Sequence, residues 1–262
     1  MTKILGTGVA LITPFKKDMT IDFDALKRLI NRVINGGVDF LVVLGTTGEA
    51  TALCKSEKKE IIEFVIKTNN SRLPLVLGIG GNNTNDLIKE IYDYDLSPFQ
   101  AILSVTPYYN KPSQEGLYLH YSLISKASPI PIILYNVPSR TGVNMHPETT
   151  LRLANDFKNI ISIKEASGDI NQVKYILNNK PESFSVLSGD DALTLEIIRN
   201  GGKGVISVIG QTHPEKFSNL VRYSLKNEFA KAELIHDSLY GLYHFLYSEG
   251  NPSGVKAVLS LK

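Results

Sequence analysis

Apolar residues in this chain follow two alternating rhythms. Eight short, almost unbroken apolar runs stand along it: GVALIT at 8–13, FLVVLG at 40–45, PLVLGIG at 74–80, AILSVT at 101–106, IPIILYNV at 130–137, NIISIKEA at 159–166, FSVLSGD at 184–190 and GVISVIG at 204–210. A strand with one face in water alternates apolar and polar residues, whereas one covered on both faces is apolar throughout, so these runs predict buried parallel strands. Between them, sets such as Leu26, Leu29, Ile30 and Val33, or Ile61, Ile62, Val65 and Ile66, repeat with helical spacing and leave charges on the opposite face. The strand–helix unit recurs roughly every 25 to 35 residues, the length of a β-α-β crossover.

An internal echo supports repetition. Ile34-Asn-Gly-Gly-Val-Asp-Phe precedes the second run and Ile198-Arg-Asn-Gly-Gly-Lys-Gly precedes the eighth, each reading as a glycine-capped helix feeding a buried strand. Eight such units predict an α/β fold, a (β/α)8 TIM barrel, because closing the sheet leaves no unpaired edge. A doubly wound open sheet is the competing arrangement. Beyond residue 210 the pattern is helical only, near 215–226, 228–248 and 254–261. This predicts a barrel catalytic domain over 1–210 and a C-terminal helical subdomain over 211–262.

Composition narrows the partners. With 262 residues, 43% hydrophobic and 21% charged, the chain is long enough for one large core. Its 28 basic and 26 acidic residues leave a net charge of +2, spread without a basic stripe, which argues against nucleic acid or an anionic membrane surface. No window approaches the ~20 apolar residues that a spanning helix needs, and MTKILGTGVALITPF has no small-residue cleavage site. A single cysteine, Cys54, cannot form an intramolecular disulfide and fits a reducing cytoplasm. Small soluble ligands are the expectation.

In such barrels the reactive groups stand at the C-terminal ends of the strands, and chemically able residues do gather there. The second run ends in Gly45-Thr46-Thr47-Gly48-Glu49, the fourth in Thr106-Pro107-Tyr108-Tyr109-Asn110, the fifth in Tyr135-Asn136-Val137-Pro138-Ser139-Arg140 and the seventh in Ser188-Gly189-Asp190-Asp191. Lys164 lies within an Ile-rich run, where an unpaired ammonium costs several kcal/mol. Such a lysine can attack a carbonyl to form an imine; the competing reading pairs it with Glu165 or another carboxylate. Tyr109 and Tyr135, with Thr46 or Thr47, could pass protons along a hydroxyl chain, since each hydroxyl both donates and accepts. Packing alone would also account for each tyrosine. Arg140, after a Pro-Ser turn, offers a planar fork to a carboxylate, or simply a solvated loop cation.

Taken together, GTTGE (45–49), TPYYNKPSQEGLYLHY (106–121), YNVPSRTG (135–142), IKEASG (163–168), SGDD (188–191) and GVISV (204–208) resemble the dihydrodipicolinate synthase / N-acetylneuraminate lyase family, in order and over nearly the whole chain. The resemblance implies a pyruvate-dependent lyase on a barrel, with no cofactor beyond a covalent imine between pyruvate and Lys164. It implies that Tyr135 moves protons at the imine with Thr46 and Tyr109, and that Thr47 holds the pyruvate carboxylate. Gly189 and Ile206 would line the pyruvate pocket, and Arg140 would receive the carboxylate of L-aspartate 4-semialdehyde. That second substrate implies a committed step toward diaminopimelate and lysine. Pyruvate aldolases of sialic or keto-deoxy sugar acids, and a ligand-sensing paralogue, are the alternatives. Tyr108 would reach across a tight dimer interface within a cytoplasmic homotetramer. Lysine-sensitive members carry histidines and a glutamate where this chain has Lys55, Lys58 and Asp86, implying weak feedback inhibition. The C-terminus is expected to stop short of the family's usual end, with Asn251-Pro-Ser-Gly-Val-Lys as a variant motif.

Other signals carry less. Gly78-Ile-Gly80-Gly81 lacks the third glycine and ribose acid of a dinucleotide fingerprint. The five histidines, at 120, 146, 213, 236 and 244, form neither HExxH nor HxH, so no metal is expected. Asp190 and Asp191 read as turn residues after a strand.

Overall fold

The computed structural model describes residues 4–261. Eight strands, β1 (Gly6–Ala10), β2 (Phe40–Val43), β3 (Leu75–Gly78), β4 (Ala101–Val105), β5 (Ile132–Asn136), β6 (Ile160–Glu165), β7 (Ser185–Ser188) and β8 (Gly204–Ser207), close into a parallel barrel in chain order. Each is shorter than the apolar run that predicted it, mostly at the C-terminal end. Several of those last residues still hydrogen-bond to the neighbouring strand, as Leu11, Ile79, Thr106, Ala166 and Gly189 do through their amides, and the loops that follow them form the barrel rim where chemistry is placed.

Eleven helices follow: α1 (Phe23–Asn35), α2 (Lys55–Asn69), α3 (Thr84–Asp93), α4 (Gln114–Ala127), the single turn α5 (Pro138–Thr141), α6 (Pro147–Asp156), α7 (Ile170–Asn179), α8 (Thr194–Arg199), α9 (Pro214–Leu225), α10 (Phe229–Ser248) and α11 (Ser253–Ser260). The sequence starts them by local chemistry: the Asp22, Asn83, Ser113 and Asp169 side chains each accept an N–H in the first turn of the next helix. The echoed glycine pairs carry positive φ at Gly37 (77°) and Gly201 (107°), one residue beyond each helix cap.

Side-chain alternation divides the core in two. One set fills the barrel interior, with Ala10, Phe40, Val42, Val76, Ile133 and Ile206 among its members. The larger set, including Leu26, Ile30, Val65, Leu117, Ile163 and Phe217, lies between strands and helices. Because α9 packs against β1, α1 and α8, it completes the outer ring. The extension is therefore α10 and α11, rather than everything after residue 210. It is docked onto the C-terminal rim: Lys256 of α11 pairs with Glu49 and lies over the Phe15 ring.

One buried group ties this fold to pH. His120 of α4 is 4% exposed, with Nδ1 2.8 Å from the Thr84 hydroxyl of α3 and no partner for Nε2 among the described residues. Burial pushes its pKa down to about 4. A histidine whose folded value lies below its unfolded one contributes stability present above about pH 6.5 and lost as pH falls toward 4. Urea unfolding should show up to about 3 kcal/mol of that loss between pH 7 and 4 in the native chain and not in His120→Gln; equal acid sensitivity in the two proteins would refute the assignment.

Candidate active site

Lys164 and Tyr135 are brought together by strand register. Tyr135 of β5 pairs with Lys164 of β6, and Asn136 with Glu165. Successive residues of a strand face opposite sides, so the first pair points into the barrel and the second toward the helices. The Lys164 Nζ lies 4.1 Å from the centre of the Tyr135 ring, and the two residues are 6% and 5% exposed.

The pairing of Lys164 with Glu165 does not form, because the two side chains leave opposite faces of β6. Glu165 instead accepts from Asn136 Nδ2 (3.1 and 3.2 Å), Gln172 Nε2 (3.0 Å) and the Ser167 amide (2.7 Å). Burial raises its pKa while these donors oppose the rise. Leaving a buried polar group of such a network unpaired typically costs about 1–3 kcal/mol, which makes it a firm lock on the β5–β6 register. Neither the Lys164 amine nor the Tyr135 hydroxyl has a hydrogen-bond partner among the described residues. Both remain available to a ligand.

They open onto a cavity of 520 Å³ at the C-terminal rim, shared with Thr47, Arg140, Gly189 and residues of α10. A neighbouring cavity of 590 Å³ contains Thr46, Tyr108 and Lys58 and shares Tyr135, Val137 and Arg140 with the first. Thr46 and Thr47 thus face adjoining spaces, held in a 3-10 turn over Thr46–Gly48. Gly189 is required by close approach: a Cβ there would sit 2.6 Å from the Ala166 Cβ and 3.0 Å from the Glu165 carbonyl oxygen. Ile206 is 1% exposed and packs inside the barrel with Tyr135, Val137 and Leu187. It supports the site from below.

Within one chain the two tyrosines after β4 part ways. Tyr109 is 85% exposed and has a φ of 75°, and it does not join the pocket of its own chain. Tyr108 lines the cavity and makes no outward reach. Pro107 and the positive φ at Tyr109 turn the chain sharply after β4, so consecutive tyrosines diverge.

Sequence reasoning missed three groups. Asn251, between α10 and α11, donates from Nδ2 to the Thr47 hydroxyl (2.9 Å) and accepts from Arg140 Nη2 at its carbonyl (3.0 Å). It therefore orients two site residues at once. Tyr240, Tyr243, His244 and Tyr247 of α10 add a polar aromatic wall; their spacing of three or four residues was the available signal. Finally, both aspartates stand in the turn after β7 as expected, Asp190 accepting from the Ala192 and Leu193 amides, but the burial of Asp191 was not foreseen. Asp191 is 2% exposed.

Chemically, the site offers an unpaired amine, a phenol against it, threonine hydroxyls and a guanidinium at one opening. An amine can add to a carbonyl there, with the phenol within reach of the carbinolamine oxygen. Among the described residues, no group of three His, Cys, Asp or Glu side chains could hold a metal ion, and no helix is long and apolar enough to cross a membrane.

Comparison with known proteins agrees with this geometry. The sequence model of the Dihydrodipicolinate synthetase family matches residues 3–262. The 4-hydroxy-tetrahydrodipicolinate synthase of Flavobacterium psychrophilum is 55% identical over 98% of this chain and 88% of its own length. The crystal structure of dihydrodipicolinate synthase from Aquifex aeolicus superposes with a TM-score of 0.93 at 40% identity, covering 97% of this chain and 86% of that one. The chloride-inhibited enzyme from Acinetobacter baumannii, complexed with pyruvate, gives 0.95 at 38% identity, covering 99% and 89%. The chain belongs to the dihydrodipicolinate synthetase family.

Proposed function

We propose that this protein is a lyase that condenses pyruvate with L-aspartate 4-semialdehyde through an imine on Lys164, giving 4-hydroxy-tetrahydrodipicolinate in diaminopimelate and lysine biosynthesis. The observation that carries this reading is the unpaired Lys164 amine held 4.1 Å from the Tyr135 ring in a cavity that also contains Arg140. The name of the Flavobacterium relative and the pyruvate complex of the Acinetobacter structure support it.

The steps follow from the residues. The Lys164 amine adds to the pyruvate keto carbon and the carbinolamine loses water, with Tyr135 passing the protons. The iminium acts as its own electron sink, so loss of a methyl proton gives an enamine without any cofactor. The enamine carbon attacks the aldehyde of the second substrate. That substrate's amine then adds to the imine carbon and displaces Lys164, closing the ring. Thr47, fixed by Asn251, holds the pyruvate carboxylate, and Arg140 takes that of the semialdehyde. Gly189 leaves room for pyruvate and Ile206 supports it.

The relay is made of Tyr135, Thr46 and Tyr109, of which Tyr135 and Thr46 border the same cavity within one chain. Tyr109, standing out at the pocket mouth, is the member free to serve a second copy, and we assign the protein to a cytoplasmic homotetramer built from two such dimers. The single exposed Cys54 fits that reducing setting.

Three variants assayed with both substrates test the reading. Lys164→Ala should abolish turnover. Tyr135→Phe should lower kcat by about 10²- to 10⁴-fold, and Arg140→Ala should raise the KM for the semialdehyde by about 10- to 100-fold while sparing that for pyruvate. Full activity in Lys164→Ala would end the proposal.

Feedback inhibition should be weak. Lys58 lies in the 590 Å³ cavity, paired with Glu90 at 3.7 Å, and a cationic effector entering there meets a cation already in place. Initial rates should hold as L-lysine is raised into the millimolar range; half-inhibition at low micromolar lysine would contradict this.

A further inference from the structure

We propose that Asp191 is a positioning residue for the acceptor half of the reaction, acting through the β8 turn and Tyr247 of α10. The inference rests on the reading above, and concerns how the second substrate is held.

β7 and β8 share a single register pair, Ser188 with Val205, where the other neighbouring strands share three to five. Above that pair the two strand ends have no ladder to hold them. The Asp191 carboxylate fills this gap: its Oδ2 accepts from the Val208 amide at 3.0 Å and the Ile209 amide at 2.8 Å. The same oxygen receives the Tyr247 hydroxyl at a longer 3.4 Å. The residue that fastens β7 to the β8 turn thus also touches the C-terminal extension.

Both elements that it fastens face the substrates. Val208 and Tyr247 line the 520 Å³ cavity with Lys164 and Arg140. The groups around the carboxylate are Asp190 on its own turn, Ser207 and the two amides from β8 and its turn, and Tyr243 and Tyr247 from α10. No cation pairs with it among the described residues, and its Oδ1 has no partner. Burial accordingly pushes its pKa up to about 6. A carboxylate kept in so costly a place to hold a cavity wall points to a role in that wall.

The two substrates depend on that wall differently. Pyruvate is tethered covalently to β6, whereas the semialdehyde is held only by non-covalent contacts between Arg140 and α10. Loosening α10 therefore weakens the acceptor and leaves the imine half in place.

Steady-state kinetics of the full chain separate these effects. Tyr247→Phe and Asp191→Ala should each raise the KM for the semialdehyde about tenfold, with kcat and the KM for pyruvate changed by less than about twofold. Asp191→Asn, which keeps an acceptor for the two amides, should recover part of the loss. The double variant should be no worse than Asp191→Ala alone, since one removes the partner of the other. An unchanged semialdehyde KM in Tyr247→Phe overturns the proposal even where Asp191→Ala does not fold. A uniform rise in both KM values, or a fall in kcat alone, overturns it too. A native protein that turns over no semialdehyde at all refutes the function itself and this inference with it.

Discussion

The site depends on one constraint, the two-residue period of a β-strand applied at β5 and β6. Because Tyr135 pairs with Lys164 and Asn136 with Glu165, the lysine amine and the phenol beside it enter the barrel while the carboxylate next in sequence leaves it. A one-residue slip would expose Glu165 to the cavity and turn the lysine toward the helices. The outward pair guards against that slip through the hydrogen bonds of Asn136, Gln172 and Ser167 to Glu165. The Lys164–Tyr135 geometry inside the barrel is thus stabilised by a polar network outside it.

The barrel supplies the Lys164 amine, and the C-terminal extension finishes the cavity around it. Asn251 reaches Thr47 across 204 residues of sequence and also holds Arg140. α10 contributes the aromatic wall, and Lys256 fixes α11 to Glu49 of the rim. The cavity lining is therefore spread over elements that meet only when the whole chain has folded. The extension belongs to the site as much as to the fold.

Much of this was legible in the sequence, for physical reasons. Strands buried on both faces must be apolar, so all eight runs found their strands, and a lysine in such a run is conspicuous because burial is costly. The family motifs then placed Tyr135, Thr47, Arg140 and Gly189, all of which line one cavity. Illegible features were those decided by backbone direction or by distance along the chain. Tyr108 and Tyr109 are identical neighbours, and only the positive φ at Tyr109 separates their fates. Asp191 shares a turn with Asp190, and nothing local reveals that the amides donating to its carboxylate lie in the turn after β8. The strand ends were overrun because the apolar pattern continues into the loops.

The central claim is that the Lys164 amine forms the bond to pyruvate. Borohydride reduction of the native protein in the presence of pyruvate alone, followed by proteolysis and mass spectrometry, tests it most directly. The account predicts one pyruvyl adduct, on the peptide carrying Lys164. An active protein that yields no adduct, or an adduct on a different lysine, would contradict it.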